Sequence, residues 1–90
     1  MKTIYKYPLQ LVDQQTLTLS LDYLLDVKEQ DGQLCLWAVV DTDLTPREVS
    51  IRIVGTGHPF PDSDTCIHIN TVVMSYGGLV WHVFEQFKEQ

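Results

Sequence analysis

Gln30-Asp31-Gly32-Gln33-Leu34-Cys35-Leu36-Trp37-Ala38-Val39-Val40 is the stretch that decides the fold class. Asp-Gly between two apolar runs is a hairpin signal, because both central residues of a type I′ turn need positive φ. After the turn, Leu34 to Val40 is apolar on both alternating faces. A strand with one wet face cannot look like that, so this one is expected in the centre of a sheet. On the other side of the turn, residues 21–29 are ambiguous. Leu21, Leu24, Leu25 and Lys28 fit helical spacing, whereas Tyr23, Leu25 and Val27 fit a strand. The adjoining Asp-Gly turn favours the strand.

Working outward, the dominant period is two. Tyr5, Tyr7, Leu9 and Leu11 alternate with Lys6, Pro8 and Gln10, which predicts a first strand with one apolar face. Pro8 has no N–H for a ladder, so that strand is expected at an edge. Asp13-Gln14 reads as a turn and Thr16–Leu19 as a second strand. Asp41–Pro46 is a loop, and Val49, Ile51 and Ile53 mark the next strand. Gly55–Asp64, with two glycines, two prolines and two acids, excludes regular structure. Cys66–Met74 is rich in β-branched residues, Ser75–Gly78 is a turn, and Leu79–Phe84 alternates once more. Residues 86–90 are expected to fray. The reading is all-β: an antiparallel β-sandwich or small open barrel of six or seven strands, with residues 1–90 as a single domain.

Composition sets further bounds. A chain of 90 residues buries only roughly 60–65% of its unfolded surface, yet 44% hydrophobic content is enough for a core. No apolar run approaches the ~18 residues of a membrane span. Met1–Pro8 contains no uninterrupted apolar segment, so it is not expected to be a secretory signal, and a cytoplasmic location is expected. Cys35 and Cys66 fall in apolar strands and read as small buried hydrophobes rather than a disulfide framework.

Net charge is −6, with three lysines against seven acids in residues 1–45 and three bases against five acids in residues 46–90. No basic patch exists for nucleic acid or an anionic membrane, so neither is an expected partner. Mimicry of DNA would need about nine well-placed acids along a face of roughly 30 Å. The acids here are scattered among opposing bases, and they are expected to serve solubility.

Three segments carry a resemblance: Asp31–Asp41, Arg52-Ile53-Val54-Gly55-Thr56-Gly57-His58-Pro59, and Leu79-Val80-Trp81-His82-Val83-Phe84-Glu85. With Tyr5–Leu9 and Asp13–Thr16, they make the chain resemble a family of small uncharacterised proteins of tailed phages and prophages. The resemblance spans nearly the whole chain and implies a setting in phage infection or lysogeny, with no activity attached. At Ser20-Leu21-Asp22-Tyr23 the chain departs from a Pro-x-Gly-Ala-like turn of that family, which points to a bulge or altered register near Tyr23.

Candidate chemistry is sparse. His58, Asp62, Asp64, Cys66 and His68 are the one cluster of ligand types. Its metal-site reading, resting on His58, Cys66 and His68, matches no established zinc spacing. Cys35 or Cys66 paired with His68 or His82 would be a nucleophile and base, but adjacency across strands is not encoded in spacing. Gly55-Thr56-Gly57 has no following helix or Lys-Ser/Thr and is not a phosphate loop. Trp37 and Trp81 are expected in the core, or else as interface anchors. No catalytic residue, cofactor or metal is assigned. The expected function is a non-enzymatic, phage-type accessory protein that binds a host or phage protein, with a homo-oligomer as one form. Its contact residues are expected to be His58, Pro59, Phe60, Pro61 and Asp62, because irregular loops on β scaffolds carry binding residues. Two prolines also lower the entropy that binding costs. The competing expectation places Phe60 beneath the loop as a plug for one end of the sandwich. The alternative function is a small metal- or ligand-binding domain using residues 55–68, and the fallback surface is the edge strand at Lys6–Gln10.

Overall fold

The computed structural model describes residues 1–87, which form seven strands and one short 3-10 turn at Ser63–Thr65. The strands are β1 (Lys2–Pro8), β2 (Gln14–Leu19), β3 (Leu21–Gln30), β4 (Gln33–Asp41), β5 (Arg47–Gly55), β6 (Cys66–Val73) and β7 (Val80–Gln86). They build two antiparallel sheets, ordered β1-β4-β3 and β2-β5-β7-β6. Of the two architectures the pattern allows, the protein is therefore the sandwich.

The Asp-Gly turn closes the β3–β4 hairpin as expected, with Asp31 at φ 52° and Gly32 at φ 79°. β4 is the central strand of the three-stranded sheet. Leu34, Leu36, Ala38 and Val40 point into the core, where they join Val27 of β3, Val49, Ile51 and Ile53 of β5, and Val83 of β7. Residues facing into the sandwich from both sheets thus make one continuous dry layer.

The ambiguity over residues 21–29 has a structural cause. β3 is a strand with two irregularities against β4, between Leu21 and Tyr23 and between Leu24 and Asp26. Each adds a residue to β3 that has no partner. The residues packed on the core are consequently Leu21, Leu24 and Val27, three apart rather than two. That spacing imitates a helical period. The first irregularity falls near Tyr23, where a bulge or altered register is expected.

Two expectations need correction, and the fraying expected of residues 86–90 is a third: Gln86 lies in β7, Phe87 N–H donates to the Thr65 carbonyl, and residues 88–90 lie outside the described residues. β1 ends at Pro8 rather than reaching Leu11. Leu9 still joins the core and donates to the Leu34 carbonyl, but the chain must then leave for the other sheet, and Leu11 is exposed. The reciprocal bonds Gln10 N–H to Gln15 Oε1 and Gln15 Nε2 to the Gln10 carbonyl hold that corner. Second, the connections, mostly of hairpin length in the sequence, do not all close hairpins. Only β3–β4 and β6–β7 are both sequential and paired. A single residue, Ser20, separates β2 from β3, too few for a hairpin turn, so the chain crosses from one sheet to the other there.

The sandwich is closed on one side. Asn70 of β6 donates from Nδ2 to Asp26 Oδ1 and to the Val27 carbonyl of β3, both at 2.9 Å. Beyond it, Ser75 N–H donates to Glu29 Oε1 and Tyr76 Oη–H to the Gly32 carbonyl. The β3 and β6 edges are stitched together by side chains in place of a backbone ladder.

Candidate functional site

The outward face of the four-stranded sheet is set by register. β5 buries Val49, Ile51 and Ile53, so Ser50 and Arg52 turn outward. Arg52 lies opposite Gln14 of β2 and Phe84 of β7, and the loop between β5 and β6 folds back over this row.

Arg52 fixes the loop. Its Nε donates to Asp62 Oδ2 at 3.0 Å and its Nη2 to Asp62 Oδ1 at 3.2 Å, a two-pronged pairing that sets position as well as charge. Nη1 donates to the carbonyls of Asp13 and Ile53. Gln86 of β7 donates from Nε2 to Asp62 Oδ2 at 2.7 Å and accepts from Gln14 Nε2. The Phe60 ring packs on Phe84 with centroids 4.8 Å apart, and the Arg52 guanidinium sits 5.5 Å from its centre. At its start the loop makes a tight turn, with His58 N–H donating to the Gly55 carbonyl. A Cβ on Gly55 would lie 2.9 Å from the His58 ring and 3.2 Å from Trp81, so only glycine lets both rings approach.

A polar row continues across the same face. Thr56 Oγ1 and His82 Nε2 are 2.8 Å apart, His82 Nδ1 and Thr71 Oγ1 2.9 Å, and Thr71 Oγ1 and His68 Nε2 2.9 Å. A neutral His82 donates through one nitrogen and accepts through the other. Thr71 passes the direction on, so the row holds together whichever tautomer His82 adopts.

The expected contact residues therefore divide. His58, Pro59 and Pro61 are exposed, whereas Phe60 and Asp62 are half-buried and occupied by Phe84 and Arg52. Phe60 plugs the outer face of a sheet rather than an end of the sandwich. His58, Cys66 and His68 do not converge. Among the described residues no three His, Cys, Asp or Glu side chains are placed to hold a metal ion. Burial holds the Cys66 thiol above its ordinary pKa, which disfavours the thiolate a nucleophile needs. Cys35 belongs to the other sheet from His68 and His82. Trp81 packs against the core but stays half-buried. Trp37 lies half-buried on the outward face of β4.

The sequence pattern of a family described as a domain of unknown function, DUF7352, matches residues 1–90. The chain belongs to the DUF7352 family. No curated protein matches the chain, and no solved structure matches it. For DUF7352, then, the site rests on its geometry. Arg52, Phe84 and Gln86 were missing from the sequence-based site. Alternation marks Arg52 and Phe84 as outward-facing, whereas Gln86, expected to fray with the tail, belongs to β7; their meeting under the loop depends on β5 lying beside β7.

The clamp responds to acid. Its hydrogen bonds from Arg52, first among several causes, hold the Asp62 carboxyl below the usual carboxylate range. A carboxylate depressed in this way stabilises the fold above its unfolded pKa of about 3.9 and loses that contribution as pH falls through the lower folded value. Below about pH 4, the Phe60 and Phe84 ring resonances are expected to shift in step with Asp62 protonation, ahead of global unfolding. In Asp62→Asn they should be insensitive to pH over that interval. Rings that stay in place while Asp62 titrates would separate the aromatic contact from the clamp.

Proposed function

We propose that this protein is a non-enzymatic protein-binding module of phage type, acting in the host cytoplasm on a host or phage protein, with His58, Pro59 and Pro61 at the contact surface. The observation that carries the reading is the clamped loop. Asp62 is fixed by Arg52 and Gln86, Phe60 by Phe84, and the start of the loop by the Gly55–His58 turn. An irregular segment held at three points presents its exposed residues in one conformation, which lowers the ordering cost of recognition. Phe60 and Asp62 act here as the loop's anchors, and the partner meets the surface they hold up. The phage setting rests on the resemblance of residues 31–41, 52–59 and 79–85.

Affinity capture from host cells tests the proposal, comparing the tagged protein with the double variant His58→Ala/Pro61→Ala. Both positions are exposed, so the melting temperature should move by no more than about 3 °C. Partner recovery should fall by about tenfold or more if these residues are central contacts. A partner retained equally by the variant would place the binding surface elsewhere on the protein.

A further inference from the structure

The edges of the two sheets are not equivalent. On one side, β3 and β6 carry bulges and are tied together through Asn70. On the other side, β1 is, among the described residues, a free edge whose register against β4 runs from Lys2↔Asp41 to Pro8↔Cys35 without a break. A long, flat edge with unpaired backbone groups is a template for another strand, and proteins usually guard it with bulges or charge.

The backbone of β1 is oriented for pairing. The Met1 carbonyl accepts from Thr42 N–H and Leu9 N–H donates to the Leu34 carbonyl. Hydrogen-bonded residues alternate along an antiparallel pair, so the odd-numbered residues of this stretch turn to β4. Lys2, Ile4, Lys6 and Pro8 therefore turn their backbone groups to the free edge. The N–H that Pro8 lacks is one that no strand of this chain would use.

The guard residues are drawn away. Lys6 Nζ donates to Gln30 Oε1 at 2.7 Å, and Lys2 Nζ lies 2.9 Å from Asp22 Oδ2. Both partners belong to β3, across β4 from the edge, so both lysines lean over the outer face toward the far strand. What remains at the edge is Ile4, 58% exposed, and Tyr5, 52% exposed although it lies on the core-facing side of β1. Tyr5 marks where the sandwich stands open.

We propose that β1 pairs antiparallel with β1 of a second copy of this chain, on a two-fold axis through Tyr5, joining the two three-stranded sheets into one. Side-chain facing requires the axis to pass through a residue. An axis at Ile4 sets Lys2 against Lys6 of the second copy, and an axis at Lys6 sets Lys6 against itself. The axis at Tyr5 pairs the whole strand and opposes no two lysines. Ile4 then exchanges both backbone hydrogen bonds with Lys6 of the second copy, and Lys2 N–H donates to the Pro8 carbonyl. Each of these contacts occurs twice by symmetry. Tyr5 meets its own copy and covers the open side. The inference is independent of the loop surface, which lies on the other sheet.

Sedimentation equilibrium on the full chain tests it. A dimer is expected, with a dissociation constant of roughly micromolar or weaker, as fits a short edge-to-edge contact. Ile4→Lys opposes Lys6 of the second copy twice and should raise that constant about 10- to 100-fold. Ile4→Lys/Lys6→Glu should restore the dimer, because the new lysine then faces a glutamate. A circular-dichroism melt confirms that each variant folds. Independently of any variant, the Ile4 and Lys6 amides of the unmodified protein should gain hydrogen-exchange protection as concentration rises. A monomer up to about 1 mM overturns the proposal. So does a dimer indifferent to Ile4→Lys, one lost in Ile4→Lys and not restored by the double variant, or one in which the two amides exchange freely.

Discussion

Leu36→Ala is expected to cost about 3–5 kcal/mol, close to the limit of what this fold can lose. Leu36 has 0% exposure and occupies the central strand, opposite Tyr7 of β1 and Val27 of β3. From there it faces the core row of the second sheet, Val49, Ile51 and Val83. A cavity at that point cannot be closed by a loop or an edge, because every neighbour is held in a ladder. Domains of this kind are stable by about 5–15 kcal/mol, and a small one sits toward the lower end of that range. The melting temperature should drop by roughly 4–8 °C for each kcal/mol lost. Urea unfolding followed by tryptophan fluorescence measures the change. Val73→Ala, at a site 70% exposed, is the matched control and should stay within about 0.5 kcal/mol of the parent. A Leu36→Ala protein as stable as that control would mean that the two sheets do not pack as described.

Asn70→Asp is the second large effect, and its sign depends on pH. Asn70 Nδ2 is the donor to both Asp26 Oδ1 and the Val27 carbonyl. An ionised carboxylate in its place donates nothing and brings like charge against Asp26. The Val27 carbonyl then loses this donor and Asp26 Oδ1 keeps only the Val27 N–H, at about 1–3 kcal/mol for the lost bonds in a half-buried place, with repulsion added. The stitched side of the sandwich should therefore loosen at neutral pH. The new carboxyl is forced to a raised folded pKa by Asp26, so its destabilising effect is full above that value. It fades as pH falls through it, when the protonated acid can donate again. Asn70→Ala removes the same bonds without adding charge, so its loss should be smaller and nearly flat with pH. Equal pH profiles for the two variants would show that Asp26 is not the partner that matters.

Both effects arise from residues of ordinary appearance in the sequence, and they differ in how far they could be anticipated. Leu36 belongs to a run apolar on both faces, and that run alone marks a central, buried strand. Asn70 sits in a stretch that reads as plain strand, and nothing in its spacing names β3 as its partner. The same division runs through the loop. Two glycines and two prolines announce irregular backbone between residues 55 and 64, and the loop is there. That Phe60 would settle on Phe84, and Asp62 on Arg52, required β5 and β7 to be neighbours. A metal set is missing among the described residues for the converse reason. His58, Cys66 and His68 are close in sequence, but the His58 ring turns back against Gly55 at the start of the loop while His68 pairs with Thr71 on β6, so the three do not meet.

Local chemistry by itself determined most of the strands, the Asp31-Gly32 turn, the edge position of β1 and the central position of β4. Each follows from rules acting over a few residues: side-chain alternation, positive φ, and the N–H that proline lacks. The tertiary structure decided which strands lie side by side, where β3 bulges, and which polar side chains clamp the loop and stitch the edges. A backbone ladder is made of the same N–H and C=O groups in every residue. The side-chain pattern therefore tells a strand which face to bury, and the choice of neighbour is left to the packing of the whole core.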